Sequence, residues 1–257
     1  MKLTIEDLDN IVINHGAHDS PDEGHCLLEV VSMFAGEQFG DSPACVDPIL
    51  AQFGRSWNDG MRSDYERAQL KIYITRLLGT NKGDPLSQKR GWMAMDWIVR
   101  TYCATWLALN PGLIHHAEAL KALPTITCVA DLQAAQPKLD AANKDSAAAG
   151  AAARAAARAA AWAAWAAAGD AARAAAGDAA RVAAGDAAGA AARAAARAAA
   201  GAAARAAARA AAGAAAGAAA GAAWAAAGDA ARAALEPTVK QLQASAHELF
   251  SRMIDEE

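Results

Sequence analysis

The chain lacks the short signatures that announce common enzymes. It has no glycine-rich phosphate loop, no dinucleotide fingerprint, no GxSxG elbow and no HExxH, so the chemistries those motifs position have no local foundation here. Cysteine is sparse: Cys26, Cys45, Cys103 and Cys128 are widely spaced and form no CxxC pair. In a chain of this length such a set is not a disulfide framework. The opening Met-Lys-Leu-Thr-Ile-Glu-Asp lacks the apolar core of a signal peptide. The expectation is a reducing, cytoplasmic setting. No stretch alternates convincingly at period two and no Asn-Gly hairpin signal occurs, which argues against a sheet.

What is present in excess is alanine. It inflates the apolar fraction to 54% of 257 residues. Outside the alanine tract about 170 ordinary residues remain, enough for one compact domain. The formal charge of -4 is uneven: Ala147–Ala234 holds nine Arg and four Asp, so a weakly basic tract is set in an acidic remainder. That distribution is not the concentrated basic face of a nucleic-acid binder, and no nucleic-acid partner is expected.

Non-alanine residues in the tract recur every fourth position. Gly150, Arg154, Arg158 and Trp162 form one series; Trp165, Gly169, Arg173, Gly177 and Arg181 open a second that runs unbroken to Gly221; Trp224, Gly228 and Arg232 form a third. Gly, Arg and Trp share little chemistry, but their codons can differ in the first base alone. The segment AAWAAAGDAARAA occurs at Ala163–Ala175 and again at Ala222–Ala234. Both facts point to duplication of a short GC-rich DNA unit.

Alanine is the best helix former and arginine nearly its equal, whereas each glycine costs roughly 1 kcal/mol. Helix therefore dominates the expectation, aided by the i,i+3 pairs Asp170–Arg173, Asp178–Arg181 and Asp229–Arg232. A four-residue step overshoots one turn by about 40°, so the non-alanine row winds around the axis and leaves no lasting polar face. One continuous rod would be about 130 Å long at 1.5 Å per residue. A hairpin of two helices is expected instead, with its turn at GDAAG, Gly185–Gly189.

Gly213-xxx-Gly217-xxx-Gly221 matches a transmembrane dimer pattern. The surrounding run lacks Leu, Ile, Val and Phe, and the same spacing continues through arginines, so no membrane partner is expected. The tract contains no threonine, which weighs against ice binding.

Helix-start signals fill the first 145 residues. Thr4 is placed as an N-cap, with Leu3 and Leu8 as a hydrophobic staple; Ser20–Glu23 (SPDE) and Ser63–Glu66 (SDYE) read as capping boxes. Asp47-Pro48, Asp84-Pro85 and Asn110-Pro111 each pair a cap with an N1 proline. Apolar stripes follow at helical spacing: Leu27, Val30, Val31 and Phe34; Ile49, Leu50, Phe53 and Trp57; and Met95, Ile98, Val99, Tyr102 and Trp106 on a helix from about Pro85 to Leu109. Pro237 is expected to restart the chain, with Val239, Leu242, Ala246, Leu249 and Met253 facing a core. A lone amphipathic helix needs a partner, so it is expected to return to the body. The predicted fold is all-α: a helical body (residues 1–145), an inserted alanine-helix arm (146–234) and a C-terminal helix (235–257) packed back on the body.

Candidate chemistry is densest in HGAHDSPDEGHCLLE, GEQFGDSPACVDP and GRSWNDG, which supply His15, His18, His25, Cys26, Glu29, Asp41, Cys45 and Asp59. Cys26 could serve as a nucleophile near a helix start with histidines nearby. If the helix begins at Pro21, however, Cys26 lies in the second turn, where the dipole has faded. His15, His18, His25, Cys26 and Cys45 are the right types for zinc, but their spacing matches no usual pattern. The bland reading pairs His25 with Glu29 on an exposed face and packs the cysteines. Trp57, Asn58 and Asp59 read either as a binding determinant or, more simply, as a packed Trp and a helix end. His115 and His116 are adjacent on a predicted helix and are not expected to share a face.

The block from HGAHDSPDEGHC through SPACVDP to GRSWNDG, followed by the alanine tract and LEPTVKQLQASAHELFSRMI, resembles an uncharacterised group of bacterial and phage proteins. The resemblance implies a tract of variable length and carries no activity. The expectation is a non-enzymatic structural or protein-interaction protein with a helical spacer, binding a protein partner or itself, with no cofactor and no small-molecule ligand identified. The alternative is a small cysteine- or metal-dependent hydrolase centred on Cys26 and the nearby histidines.

Overall fold

The computed structural model describes residues 5–8, 10–185 and 190–257; the side chains of residues 5, 157, 160–220 and 223–224 lie outside the description. Among the described residues every regular element is helical, so the fold is all-α. The α-helices are α1 (Leu27–Ala35), α2 (Pro48–Gly60), α3 (Asp64–Arg67), α4 (Ile74–Leu77), α5 (Asp84–Trp97), α6 (Ala104–Leu107), α7 (Ile114–Lys121), α8 (Val129–Gly185) and α9 (Ala190–Asp255). Short 3-10 turns cover Ile5–Asp7, Ala68–Tyr73 and Pro111–Leu113, and a π-turn at Ile98–Cys103 joins α5 to α6. The chain divides into two compact units: residues 1–142 with 238–257, and residues 143–237.

In the first unit several helix starts follow local chemistry. Asp47 caps α2, its Oδ1 accepting from the Ile49 and Leu50 amides at 2.9 and 3.2 Å, with Pro48 at the first position. Ser63 caps α3 by accepting from the Glu66 amide at 3.2 Å, while Glu66 accepts from the Arg62 amide, so half of the expected box forms. Asn110 accepts from the Gly112 amide before the Pro111–Leu113 turn. At Asp84-Pro85 the cap moves back one residue, to Gly83. Residues 1–4, including the expected Thr4 cap, lie outside the described residues, and only the Ile5–Asp7 turn follows.

The SPDE expectation is corrected. Residues 20–23 form a turn, closed by the Glu23 amide on the Ser20 carbonyl, and α1 begins at Leu27 with Cys26 as N-cap. Cys26 and Glu29 cap one another: the Glu29 carboxylate accepts from the Cys26 amide at 2.7 Å, and the Cys26 sulfur faces the Glu29 amide. A reciprocal cap at Cys26–Glu29 satisfies the orphan donors there, and residues 14–25 are free to make tertiary contacts instead.

The core gathers the first two predicted stripes, whereas of the third only Val99 is buried and Ile98 and Tyr102 are exposed, because the chain turns through a π-turn at Ile98–Cys103 instead of continuing one α-helical face. Leu27, Leu28, Val30 and Val31 are fully buried against Leu50, Leu70, Tyr73, Ile74 and Leu77, with Ile49, Phe53 and Trp57 packed on the rim. Gly54 permits the close approach of α2: a Cβ there would lie 3.0 Å from Leu28 Cδ2 and 3.3 Å from Leu27 Cδ2. From α9, Leu249, Phe250 and Met253 enter the same core, and Leu242 and Ala246 are buried too. Phe250 stacks on Phe53 with ring centroids 5.5 Å apart and meets Tyr73 edge-on at 4.8 Å. A second cluster joins Val99, Ala104, Ala117, Leu120, Leu123, Ile126 and Ala135.

The restart expected at Pro237 is also corrected, because α9 runs unbroken through it. A proline inside a helix removes one hydrogen bond and costs about 3 kcal/mol. That penalty is met here by alanine upstream and a core-buried stripe downstream. Pro137 lies inside α8 in the same way. In the second unit α8 ends at Gly185 and α9 begins at Ala190; the expected turn falls on residues 186–189, outside the described residues. The Asp229–Arg232 pair forms on the exposed helix surface at 2.5 Å.

Candidate functional site

The polar groups nominated by the sequence fall into separate local arrangements. The most buried is His18–Glu29–Cys26. Glu29, wholly buried, accepts from the His18 amide at 2.6 Å and from the Cys26 amide at 2.7 Å, and its Oε2 lies 2.9 Å from His18 Nδ1. The expected exposed His25–Glu29 pair is therefore replaced by a His18–Glu29 pair in which Glu29 is buried and His18 half-buried. The reason is the later helix start, which places Glu29 in the first turn pointing back over the cap. His25 instead meets Phe39 edge-on at 6.3 Å, and its amide donates to Asn14 Oδ1 at 3.3 Å.

The loop before α1 is fastened on several sides. The Asn14 amide donates to the His25 carbonyl at 2.7 Å, and Asn58 Nδ2 donates to the Asn14 carbonyl at 2.9 Å. The Gly16 amide donates to Asp59 Oδ1 at 2.9 Å. At Gly24 the backbone is left-handed, with φ +140°, and a Cβ would lie 2.7 Å from His18 Nε2. Asn58 is fully buried and Asp59 exposed. Asn58 thus ties the loop to the end of α2, while its own carbonyl accepts from Arg67 Nε at 3.0 Å. His15 is exposed.

Asp41 and Cys45 belong elsewhere. Asp41 accepts from Ser42 Oγ at 3.0 Å and lies 3.8 Å from Arg55 Nε; Arg55 also donates to the Asp41 carbonyl at 2.7 Å. The Cys45 and Ala44 amides donate to the Glu37 carboxylate at 2.9 and 2.6 Å. Among the described residues, His15, His18, His25, Cys26 and Cys45 supply no three ligand atoms within 4.8 Å of one another.

Electrostatics sets the thiol chemistry. Burial, with the adjacent Glu29 charge acting in the same direction, pushes the Cys26 thiol up to about 12, against the opposing pull of the Glu29 and Leu28 amides. Cys26 does stand at the helix start, where the dipole is strongest, but desolvation outweighs it. Burial and then the bond to Glu37 push the Cys45 thiol up as well. Burial raises Cys103.

Three polar arrangements escaped the sequence reading. Arg90, 1% exposed, donates to Asp47 Oδ2 at 2.9 Å, to the Thr80 carbonyl at 2.7 Å and to the Met253 carbonyl at 2.7 Å. Arg67 donates to Asp64 at 2.6 Å and to the Met61 carbonyl at 2.7 Å. Tyr73 Oη lies 2.8 Å from His247 Nδ1, and the His247 ring meets Trp57 at 4.5 Å. Burial holds His247 below its ordinary value and Tyr73 above its own, the Ser251 bond and the Arg76 charge opposing the latter. Residue type alone pointed to one of these, a histidine set between the apolar positions of the C-terminal stripe; Arg90 follows Ser87, Gln88 and Lys89 and reads as one more exposed polar residue. His115 and His116, expected on different faces, still bring their rings to 3.9 Å, with His116 buried and His115 exposed.

No protein-family model matches the chain, and neither does any curated protein or solved structure. No helix among the described residues is long and apolar enough to cross a membrane.

Proposed function

We propose that this chain is a structural or protein-interaction protein in which an alanine-helix spacer is inserted into a helical body. The observation that carries this reading is the use made of the polar cluster. Glu29, His18, Asn58 and Asp59 bond backbone and one another to fasten the loop of residues 14–25 onto α1 and α2. The Cys26 thiol stays protonated, because its pKa is pushed up to about 12, whereas a nucleophilic cysteine works as thiolate. The body offers a protein partner its surface, and the arm sets a distance. Each four-residue repeat adds about 6 Å of helix, so change in repeat number tunes reach without touching the core.

The competing reading, a cysteine- or metal-dependent hydrolase, draws on the His18–Glu29 pair beside Cys26. Two measurements separate them. Deleting Ala151–Arg158 together with Ala202–Arg209 shortens each long helix by about 12 Å. The spacer reading expects the urea midpoint of the body to stay within error; collapse of body folding counts against it. Metal analysis of purified protein, with Cys26 alkylation followed across pH, tests the hydrolase: stoichiometric metal or a thiol reactive at neutral pH would favour it.

A further inference from the structure

Residues 238–257 belong to the first unit but join its remainder only through residues 143–237. No short connection holds them in place; their contacts do. Phe250 stacks on Phe53 and meets Tyr73, His247 meets Trp57 and Tyr73, and Trp97 Nε1 donates to Ser245 Oγ at 2.7 Å. The end of the helix is then latched by cations. Arg90 donates to the Met253 and Glu256 carbonyls at 2.7 and 3.2 Å, Arg76 pairs with Asp255 at 2.8 Å, and Lys89 pairs with Glu256.

We propose that this seat, built from α2, the Ala68–Tyr73 turn, α4 and α5, also accepts residues 238–257 of a second copy of this chain, giving an exchanged dimer. Every contact above is available unchanged in trans. A chain whose tail is undocked carries both an empty seat and an uncovered Leu249/Phe250/Met253 stripe, so two such chains are mutually complementary and the exchange closes with two-fold symmetry. Whether a tail finds its own seat or a neighbour's depends on the effective concentration set by the intervening chain. Raising the protein concentration against that fixed local value favours the neighbour's seat. The inference goes beyond the spacer reading and does not rest on it: a chain with no other protein partner would still exchange.

The Lys89–Glu256 pair supplies the readout, because a carbodiimide joins the two side chains through an amide. Full-length chains of natural isotopic content and ¹⁵N-labelled chains are unfolded together and refolded at low and at high protein concentration. They are then coupled, digested and weighed. At low concentration the Lys89–Glu256 product is of one isotope only. At high concentration a dimer forms whose product is mixed, approaching half of the total as pairing becomes random. The same dimer is lost in Phe250→Asp. A product that stays unmixed at every concentration overturns the proposal, as does a dimer that survives Phe250→Asp, which would place association elsewhere. Absence of any Lys89–Glu256 product overturns the seat itself.

Discussion

Arg90 and Asp47 stand 43 residues apart in sequence and meet at 2.9 Å, their side chains 2% and 0% exposed. Asp47 uses its other oxygen to cap α2, and its Oδ2 also accepts from Ser87 at 2.6 Å. Arg90 meanwhile reaches the Met253 carbonyl near the end of α9. One guanidinium therefore joins the start of α2 to the returning C-terminal helix. Removing one member of a buried ion pair strands the other charge and costs about 3–5 kcal/mol. Arg90→Ala is expected to lower body stability by that order in urea unfolding. Adding Asp47→Asn to it is expected to cost less than the sum of the two single changes, as coupled neighbours do.

Glu29 accepts from two backbone amides and contacts His18 Nδ1. Glu29→Gln keeps the shape but turns an amide NH₂ toward groups that donate. The expected loss is about 1–3 kcal/mol from the unmatched buried donors. Gly24→Ala attacks the same loop from outside, through its φ of +140° and the 2.7 Å approach to His18 Nε2. Both are checked by thermal or urea unfolding and by faster proteolysis between residues 14 and 25.

For Cys26, a thiol pKa near 12 leaves a thiolate fraction on the order of 10⁻⁴ at pH 8. Alkylation of the native protein is expected to modify exposed Cys128 first and Cys26 last, at a rate still rising above pH 9. Because the folded pKa lies above the unfolded one, this thiol's contribution to stability is full below about 9 and declines as pH climbs toward 12. The unfolding midpoint should fall over that alkaline window, and by less in Cys26→Ala, once its own fixed loss is subtracted.

His247 gives the opposite window. Burial lowers its pKa from 6.5, so the folded chain favours the neutral ring and the unfolded chain binds the extra proton. Its contribution is present above pH 6.5 and is lost as pH falls through the depressed folded value. Urea titrations at pH 7.5, 6.5 and 5.5 are expected to show declining stability, with a shallower slope in His247→Phe.

The elements legible in sequence are those whose cause is local. Asp47-Pro48 and Asn110-Pro111 cap as read, and the stripe Leu27/Val30/Val31/Phe34 is buried as read. SPDE misled because a better reciprocal cap, Cys26 with Glu29, lies six residues on, and cysteine is a poor advertisement for a cap. Pro237 misled because a propensity of about 3 kcal/mol is smaller than what the flanking helix supplies. Phe250, fully buried, escaped the stripe that included its neighbour Leu249. Glu29 as a candidate was sound, yet its partner was not readable: His18 reaches it through a loop whose path depends on Asn58 and Asp59, far along the chain. The π-turn at Ile98–Cys103, where Arg100 meets Asp96 at 3.1 Å, had no sequence signal.

The most direct measurement on the account is native-state hydrogen exchange of the full chain, because it asks whether a tail delivered by a long arm is part of the body. The amides of Leu242–Met253 are expected to open with the same free energy as those of Leu27–Phe34, and Arg90→Ala is expected to lower both together. A tail that exchanges like a free helix while Leu27–Phe34 remains protected would contradict a body closed by its own C-terminus.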